Sequence, residues 1–170
     1  MIYRRFGRTE LSMPVLTCGG MRYQQAWQDL DWDQITDESQ ANVEACVKRA
    51  LEHGINHIET ARGYGCSERQ LGRILPALPR DEIIVQTKVP PANSKDEFLA
   101  NFDKSMDRLQ LEYIDLLGFH GLNNEEVVDR TLTKGNIEAA RQLQKEGRVR
   151  FVGFSSHAPA GPLIKAIESD

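Results

Sequence analysis

The sequence is poor in cysteine, and its cysteines form no familiar pattern. Cys18, Cys46 and Cys66 are odd in number and far apart, with no C-x-x-C pair and no histidine at metal-ligand spacing. This spacing argues against a metal site. We expect the three side chains to be small buried hydrophobes, and Cys66 is the exception to watch because its loop carries other reactive residues.

Long apolar runs and charge of one sign are also missing. The N-terminal residues 1–6 lack the apolar core of a signal peptide, and no later stretch approaches the roughly 18 uninterrupted apolar residues of a membrane span. The 21 basic and 25 acidic residues give a net charge of −4, and neither sign is gathered into a long block. We therefore expect a cytoplasmic protein with no nucleic-acid and no membrane partner.

What the sequence does contain is an alternation of apolar strands and amphipathic helices. A small hairpin is predicted over 2–6 and 11–16, and strands are predicted over 15–21, 55–61, 82–89, 113–120 and 149–157. Helices are predicted over 37–53, 67–75, 94–109, 136–146 and 162–170, with Ser67 and Ser94 as N-caps. This order predicts β-α-β units around a parallel sheet. With 170 residues, of which 40% are hydrophobic, the chain suffices for one domain over 1–170.

Reactive side chains stand where three of these strands end. Glu59 and Tyr64 end the strand over 55–61 and begin its loop, Lys88 lies near the end of the next strand, and His120 ends the one after that. Active sites of (β/α) barrels occupy this face, so we expect an α/β fold of the (β/α)8 TIM-barrel type. A complete barrel typically needs about 250 residues, and this chain therefore supplies about the first five β/α units after its hairpin.

A doubly wound sheet is the competing fold. Its dinucleotide sites follow a strand with the pattern G-x-G-x-x-G. The segment Gly63-Tyr64-Gly65 lacks the third glycine and is followed by a capped helix. The barrel is therefore the better interpretation.

The four side chains are suited to proton delivery. An unperturbed tyrosine has a pKa of about 10 and is a poor proton donor at neutral pH. A neighbouring Lys88 ammonium could lower the pKa of Tyr64, and Glu59 could hold that ammonium charged and oriented. His120 could donate a hydrogen bond to a substrate oxygen. Each residue is commonplace alone, so the joint pattern carries the prediction.

That joint pattern resembles the aldo-keto reductase family. The matching segments, in order, are YRRFGRT at 3–9, HIETA at 57–61, YGCSERQLG at 64–72, TKV at 87–89, YIDL at 113–116 leading to His120, and GFS at 153–155. The resemblance implies an eight-stranded barrel and NADPH-dependent reduction of aldehyde or ketone carbonyls to alcohols. By position, it implies that Tyr64 is the proton donor, tuned by Lys88. Glu59 would then orient the lysine, and His120 would position the carbonyl. Family contacts to the nicotinamide half of the cofactor match Gly20, Met21, Ser155 and Ser156.

The sequence departs from the family pattern at three places. Glu59 stands where the family usually has aspartate, so the charge is kept on a longer side chain. Ser156 stands where asparagine commonly binds the carboxamide. The last strands of the family barrel, which contact the adenosine phosphate, have no counterpart in these 170 residues. The alternative function is therefore a catalytically incomplete half-barrel that acts as a binding or assembly module, with self-association through its open sheet edge.

Some residues outside this pattern also carry expectations. Trp27 and Trp32 lie in a polar loop, where they either cover a pocket mouth or pack against the barrel. His57 shares a strand face with Glu59 and is expected to be a hydrogen-bonded core histidine. The charges at 125–126 are interpreted as a solvated surface. A thiol-dependent function through Cys66 depends on that side chain being exposed.

Overall fold

The computed structural model describes residues 1–22 and 25–169, which form a hairpin and a five-stranded parallel sheet. The hairpin pairs β1 (Tyr3–Arg5) with β2 (Ser12–Pro14) in antiparallel register. The sheet contains, in spatial order, β3 (Cys18–Gly19), β4 (His57–Glu59), β5 (Ile84–Val89), β6 (Ile114–Phe119) and β7 (Val149–Phe154). The helices are α1 (Asp37–Glu52), α2 (Ser67–Gly72), α3 (Lys95–Leu109), α4 (Glu125–Thr133), α5 (Asn136–Lys145) and α6 (Ala160–Ile167). The predicted hairpin and parallel sheet are confirmed.

Helix α3 shows how local sequence fixes these elements. The Ser94 hydroxyl caps the helix by accepting a hydrogen bond from the Glu97 backbone N–H at 3.2 Å, as predicted. Phe98, Phe102 and Leu109 are fully buried along one face. Phe98 packs against Phe119 of β6 with ring centroids 5.2 Å apart. The amphipathic stripe therefore fastens the helix to the sheet.

The charged segment at 125–133 is a helix that the sequence analysis did not predict. Asn124 caps α4 by accepting from the Val127 backbone N–H at 2.9 Å, and Glu125 and Glu126 lie in its first turn. Carboxylates there complement the positive end of the helix dipole. The fully buried residues of α4 are Val128 and Thr131. Val127 and Leu132 pack beside them against the core, so the helical spacing was present in the sequence and was overlooked because of the neighbouring charges.

The central strands present two different faces. Val85, Val89 and Leu117 alternate onto the side that packs against the helices, within the main hydrophobic core. Gln86 and Lys88 project from the opposite face of β5. Polar residues that the core cannot hold are thereby gathered on the side away from the helices.

Cysteine burial differs from the expectation. Cys66, the exception to watch, is completely buried, whereas Cys46 is exposed and Cys18 is half-buried. The expectation of a buried hydrophobe is right for Cys66 and wrong for Cys46, which lies on the outer surface of α1. Within residues 1–22 and 25–169, no helix has the length and apolar character needed to cross a membrane.

Candidate active site

Three strand ends converge on one patch of the sheet. Glu59 ends β4, Lys88 lies one residue before the end of β5, and His120 follows β6. The Arg62 N–H donates to the Lys88 carbonyl at 3.0 Å, and the His120 N–H donates to the Val89 carbonyl at 2.9 Å. Backbone pairing thus continues past the strands and holds the exits side by side, because the three strands are parallel neighbours.

Lys88 and Glu59 form an ion pair at this patch. The Lys88 ammonium donates to Glu59 Oε1, so the longer glutamate side chain still reaches the lysine. Lys88 is only 7% exposed. Burial disfavours its charged form and lowers the pKa of Lys88 to about 8. The site therefore holds an ammonium that loses its proton far more readily than an ordinary lysine.

Tyr64 lies against both Lys88 and His120. The Lys88 Nζ is 4.7 Å from the centroid of the Tyr64 ring, a cation–π distance. The Tyr64 and His120 rings meet edge to face, with centroids 5.6 Å apart and planes at 89°. The structure therefore brings together all four predicted side chains.

The pKa of Tyr64 shifts in the direction opposite to the one predicted. Burial raises the pKa of Tyr64 above 10, because the half-buried phenol loses hydration that would stabilise its phenolate. In the free site, the phenol is thus held in its protonated form at neutral pH. The expected lowering by Lys88 is wrong for this structure, in which burial of the phenol is the cause of the shift in its pKa.

His120 is favoured in its neutral form. Burial lowers the pKa of His120, and the positive charges of Lys88 and His157 lower it further. A neutral imidazole carries one N–H donor and one acceptor nitrogen. His120 can therefore donate a hydrogen bond to an oxygen without adding a charge to the patch.

The loop that carries Tyr64 is fixed at both ends. The Thr60 and Ser67 hydroxyls hydrogen-bond each other at 2.7 Å, and the Ser67 N–H donates to the Tyr64 carbonyl at 3.0 Å. Ser67 is thus the first residue of α2, and Cys66 occupies the cap position without a side-chain cap. The predicted N-cap at Ser67 is wrong because its hydroxyl is used to close this loop.

The thiol of Cys66 is also occupied inside the loop. It donates to the Gln70 side-chain oxygen at 3.4 Å. A fully buried thiol has no route to a substrate, so the thiol-dependent function loses the exposure on which it depended.

The four predicted cofactor residues lie at two separate edges of the sheet. Gly20 and Met21 follow β3, where the Gly20 N–H donates to the Glu59 carbonyl at 2.7 Å. Ser155 and Ser156 follow β7, with β4, β5 and β6 between the two pairs. The structure therefore places the two pairs on opposite flanks of the Lys88 patch.

The hydroxyls of the two serines bind the loop after β6. Ser155 Oγ accepts from the Gly121 N–H at 3.1 Å, which leaves the hydroxyl able to donate its own hydrogen. Ser156 Oγ donates to the Leu122 carbonyl at 2.6 Å and accepts from the Ala158 N–H at 2.9 Å. The Ser156 hydrogen is thus used within the protein.

His57 lies deeper on the same face of the sheet. Its Nδ1 is 2.9 Å from Thr17 Oγ1 and its Nε2 is 3.0 Å from Gln86 Oε1. Burial lowers the pKa of His57. The expected hydrogen-bonded core histidine is confirmed. His57 lies two residues before Glu59 in β4, on the same face of the sheet.

Comparison with known proteins decides the family. Residues 15–166 match the sequence profile of the aldo/keto reductase family. The chain belongs to this family. An L-galactose dehydrogenase from Arabidopsis thaliana is 36% identical over 123 residues, which cover 65% of this chain and 37% of that protein. An L-glyceraldehyde 3-phosphate reductase from Escherichia coli strain K12 is 27% identical over 175 residues, 94% of this chain and 46% of that protein.

Solved structures show the same relationship. An aldo-keto reductase from Bacillus halodurans, in its holo form, superposes with a TM-score of 0.76 at 29% identity, covering 97% of this chain and 53% of that one. A thermostable aldo-keto reductase superposes with a TM-score of 0.77 at 25% identity, covering 100% of this chain and 59% of that one. The TIM-barrel type fold predicted for this chain is thus confirmed over these five β/α units. The chain spans less than half the length of the two curated relatives.

One residue of this aldo/keto reductase site was missed by sequence reasoning. Gly118 pairs directly with Lys88 across β5 and β6. A Cβ atom at position 118 would lie 2.8 Å from Lys88 Cγ, closer than packed carbon atoms approach. A glycine inside a strand often marks such a close approach, and that signal was present in the sequence.

Proposed function

We propose that the protein is an NADPH-dependent oxidoreductase that reduces aldehyde or ketone carbonyls to alcohols, with Tyr64 as the proton donor. The observation that carries this proposal is the convergence of Tyr64, Lys88, Glu59 and His120 on one patch. Membership of the aldo/keto reductase family supports NAD(P)H-dependent carbonyl chemistry in general. The two relatives are named for oxidation of a sugar and reduction of an aldehyde, which agrees with that class.

Each side chain has a separate role in this proposal. The His120 N–H holds the substrate carbonyl oxygen, and the Tyr64 O–H gives that oxygen its proton as the C–O bond becomes single. Lys88, held by Glu59, stabilises the phenolate that Tyr64 leaves behind. A nicotinamide cofactor, when bound, would supply the hydride for the carbonyl carbon, and one hydride and one proton would complete the alcohol.

The residues at the two flanks fit this cofactor unequally. Ser155 can still donate its hydroxyl hydrogen, which suits a carboxamide oxygen. Ser156 uses its hydrogen on Leu122, so we propose that it contributes by shaping the loop after β7. Gly20 and Met21 would line the opposite side of the nicotinamide, where the absent Cβ of Gly20 permits close approach.

Titration with NADPH, followed by cofactor fluorescence, tests the proposal. We expect saturable binding with a Kd below about 1 mM and NADPH oxidation when an aromatic or small aldehyde is added. A matched titration with NADH separates the two nicotinamide cofactors. No binding of either cofactor up to millimolar concentration would contradict the proposed function.

The same sample tests the alternative, a binding or assembly module. This alternative is favoured by β7, which is the last strand of the sheet among the described residues, and by the exposed Phe154 beside it. Exposed Ile164 and Ile167 on α6 add apolar surface. A sedimentation coefficient that increases with protein concentration, together with no detectable cofactor binding, would favour the binding or assembly module.

Replacing Gly118 with alanine is expected to reduce turnover by up to about a hundredfold, because the new methyl group displaces Lys88 from Tyr64. Gly153→Ala is the matched control. Gly153 pairs with Gly118 on the neighbouring strand, but a Cβ there meets no described atom within 4 Å. The measurement is kcat/KM for an aldehyde in both variants. Equal activity in the two would mean that the position of Lys88 does not matter.

A further inference from the structure

Residues 25–36 form a closed loop, which we call the tryptophan loop. The Gln25 side chain joins its ends by accepting from the Thr36 N–H at 2.8 Å and donating to the Gln34 carbonyl at 3.1 Å. Compact loops with joined ends often carry function. Both tryptophans of the chain, Trp27 and Trp32, lie in this loop.

Two buried arginines fasten this loop through one carboxylate. Asp29 accepts from Arg69 of α2 on one oxygen and from Arg108 of α3 on the other. Both arginine side chains are largely buried, whereas Asp29 remains 47% exposed. The charge-assisted bonds therefore pull a surface loop onto the helices that flank the active site.

The arginine at α3 extends this contact to the strand that carries Lys88. Arg108 also faces Glu68 at 3.4 Å, and the Glu68 carboxylate accepts from Thr87 Oγ1 at 2.7 Å. Thr87 immediately precedes Lys88 in β5. Asp29 is thus joined, through the three buried side chains of Arg108, Glu68 and Thr87, to the backbone that positions the ammonium.

The loop also rests directly on the residue after Tyr64. Gly65 has a φ of +53°, and a Cβ there would overlap the carbonyl oxygen of Ala26 and approach that of Gln28 to 3.3 Å. Only glycine satisfies both the positive φ and this contact. The backbone of the tryptophan loop therefore lies against the backbone of the Tyr64 loop.

The two tryptophans are placed differently. The Arg73 guanidinium lies over the Trp32 ring, with its Cζ 5.6 Å from the ring centroid. Arg73 also donates a hydrogen bond to the Trp32 backbone carbonyl at 2.6 Å. Trp32 therefore packs against Arg73, the residue that follows α2. Trp27 is 60% exposed and follows Ala26, the residue that contacts Gly65. A large exposed aromatic ring thus stands beside the Tyr64 loop.

We propose that Asp29 is a positioning residue that docks the tryptophan loop on the Tyr64 loop, so that Trp27 forms part of the surface that receives an apolar carbonyl substrate. Asp29 touches neither the substrate nor the reacting atoms and acts only through Arg69 and Arg108. The effect on substrate rests on the proposed function, whereas the docking of the loop does not.

Asp29→Asn tests the docking, because tryptophan fluorescence reports only on this loop. We expect a red-shifted emission and about twofold stronger acrylamide quenching, with unchanged far-UV circular dichroism. Asp31→Asn is the matched control. Asp31 is 77% exposed and its contact with Arg69 is longer, at 3.4 Å, so its emission should stay that of the wild type. Asp29→Glu keeps the charge and should restore much of the wild-type emission.

Kinetics test the consequence for the substrate. In Asp29→Asn, KM for an aromatic aldehyde should rise about tenfold, the loss expected for one charge-assisted hydrogen bond, while kcat changes little. Unchanged emission and quenching in Asp29→Asn would overturn the docking. Changed emission with an unchanged KM would overturn the role of the loop in substrate binding. If the wild type shows no turnover, the proposed function fails, and fluorescence still decides the docking.

Discussion

Replacing Tyr64 with phenylalanine is expected to lower kcat/KM for aldehyde reduction by roughly two to four orders of magnitude, the usual contribution of one general acid. Phenylalanine keeps the ring that packs against His120 and under Lys88, and it removes only the hydroxyl that carries the proton. The measurement is NADPH oxidation at saturating cofactor. Affinity for NADPH and the thermal midpoint should stay close to those of the wild type, because the packing is retained.

Tyr113→Phe provides the matched control for this experiment. Tyr113 lies just before β6, where the Arg80 guanidinium covers its ring at 3.9 Å. The Tyr113→Phe variant also loses a phenol hydroxyl, but at the N-terminal end of β6, away from the proposed active site. We expect its turnover to differ from that of the wild type by less than about twofold. Most activity surviving in Tyr64→Phe would remove Tyr64 as the proton donor, whatever the control shows.

Activity is expected to fall as the pH rises above about 8, because Lys88 loses the charge that stabilises the Tyr64 phenolate. Below this pKa Lys88 is charged, and its titration should cause no change of kcat/KM with pH. Above it, the rate should fall about tenfold for each pH unit. In Lys88→Arg the guanidinium keeps its charge throughout the measured pH range, so the decline should disappear even if the overall rate is lower.

The titration of Lys88 should affect stability in the opposite direction to activity, so the free energy of unfolding should increase as the pH rises. The folded pKa of Lys88 lies below its ordinary value of 10.5, so the unfolded chain binds more protons between about pH 8 and 10.5. The contribution of Lys88 to the free energy of unfolding therefore rises with pH across that window. Denaturation of wild type and Lys88→Arg at pH 7 and pH 9 isolates this contribution. A wild type that loses stability relative to Lys88→Arg over this range would contradict the buried ammonium.

Local patterns predicted those elements whose signals lie within a few residues of one another. Ser94 capped α3 as expected, and its Phe98 and Phe102 face is the buried one. Patterns failed where a distant partner decided the outcome. Ser67 had the sequence of an N-cap, yet its hydroxyl is bound to Thr60 on the other side of the loop.

The cysteines illustrate the same limit. Cys66 lies in a loop with reactive residues and was the one cysteine for which exposure was considered, but it is completely buried and its thiol donates to the Gln70 side chain. Cys46 had the spacing of an apolar helix position and lies exposed on α1. Burial depends on which elements pack above a residue, and periodicity within one helix does not report this.

The order of the strands and the grouping of Glu59, Lys88, Tyr64 and His120 followed from the sequence, because the ends of neighbouring parallel strands must meet at one edge. The protonation of these groups, by contrast, depends on how the folded chain packs around them. The direction of the Tyr64 pKa depends on how much water the fold removes. The hydrogen bond that Arg108 donates to Asp29 joins residues 79 positions apart, a separation that no local pattern encodes.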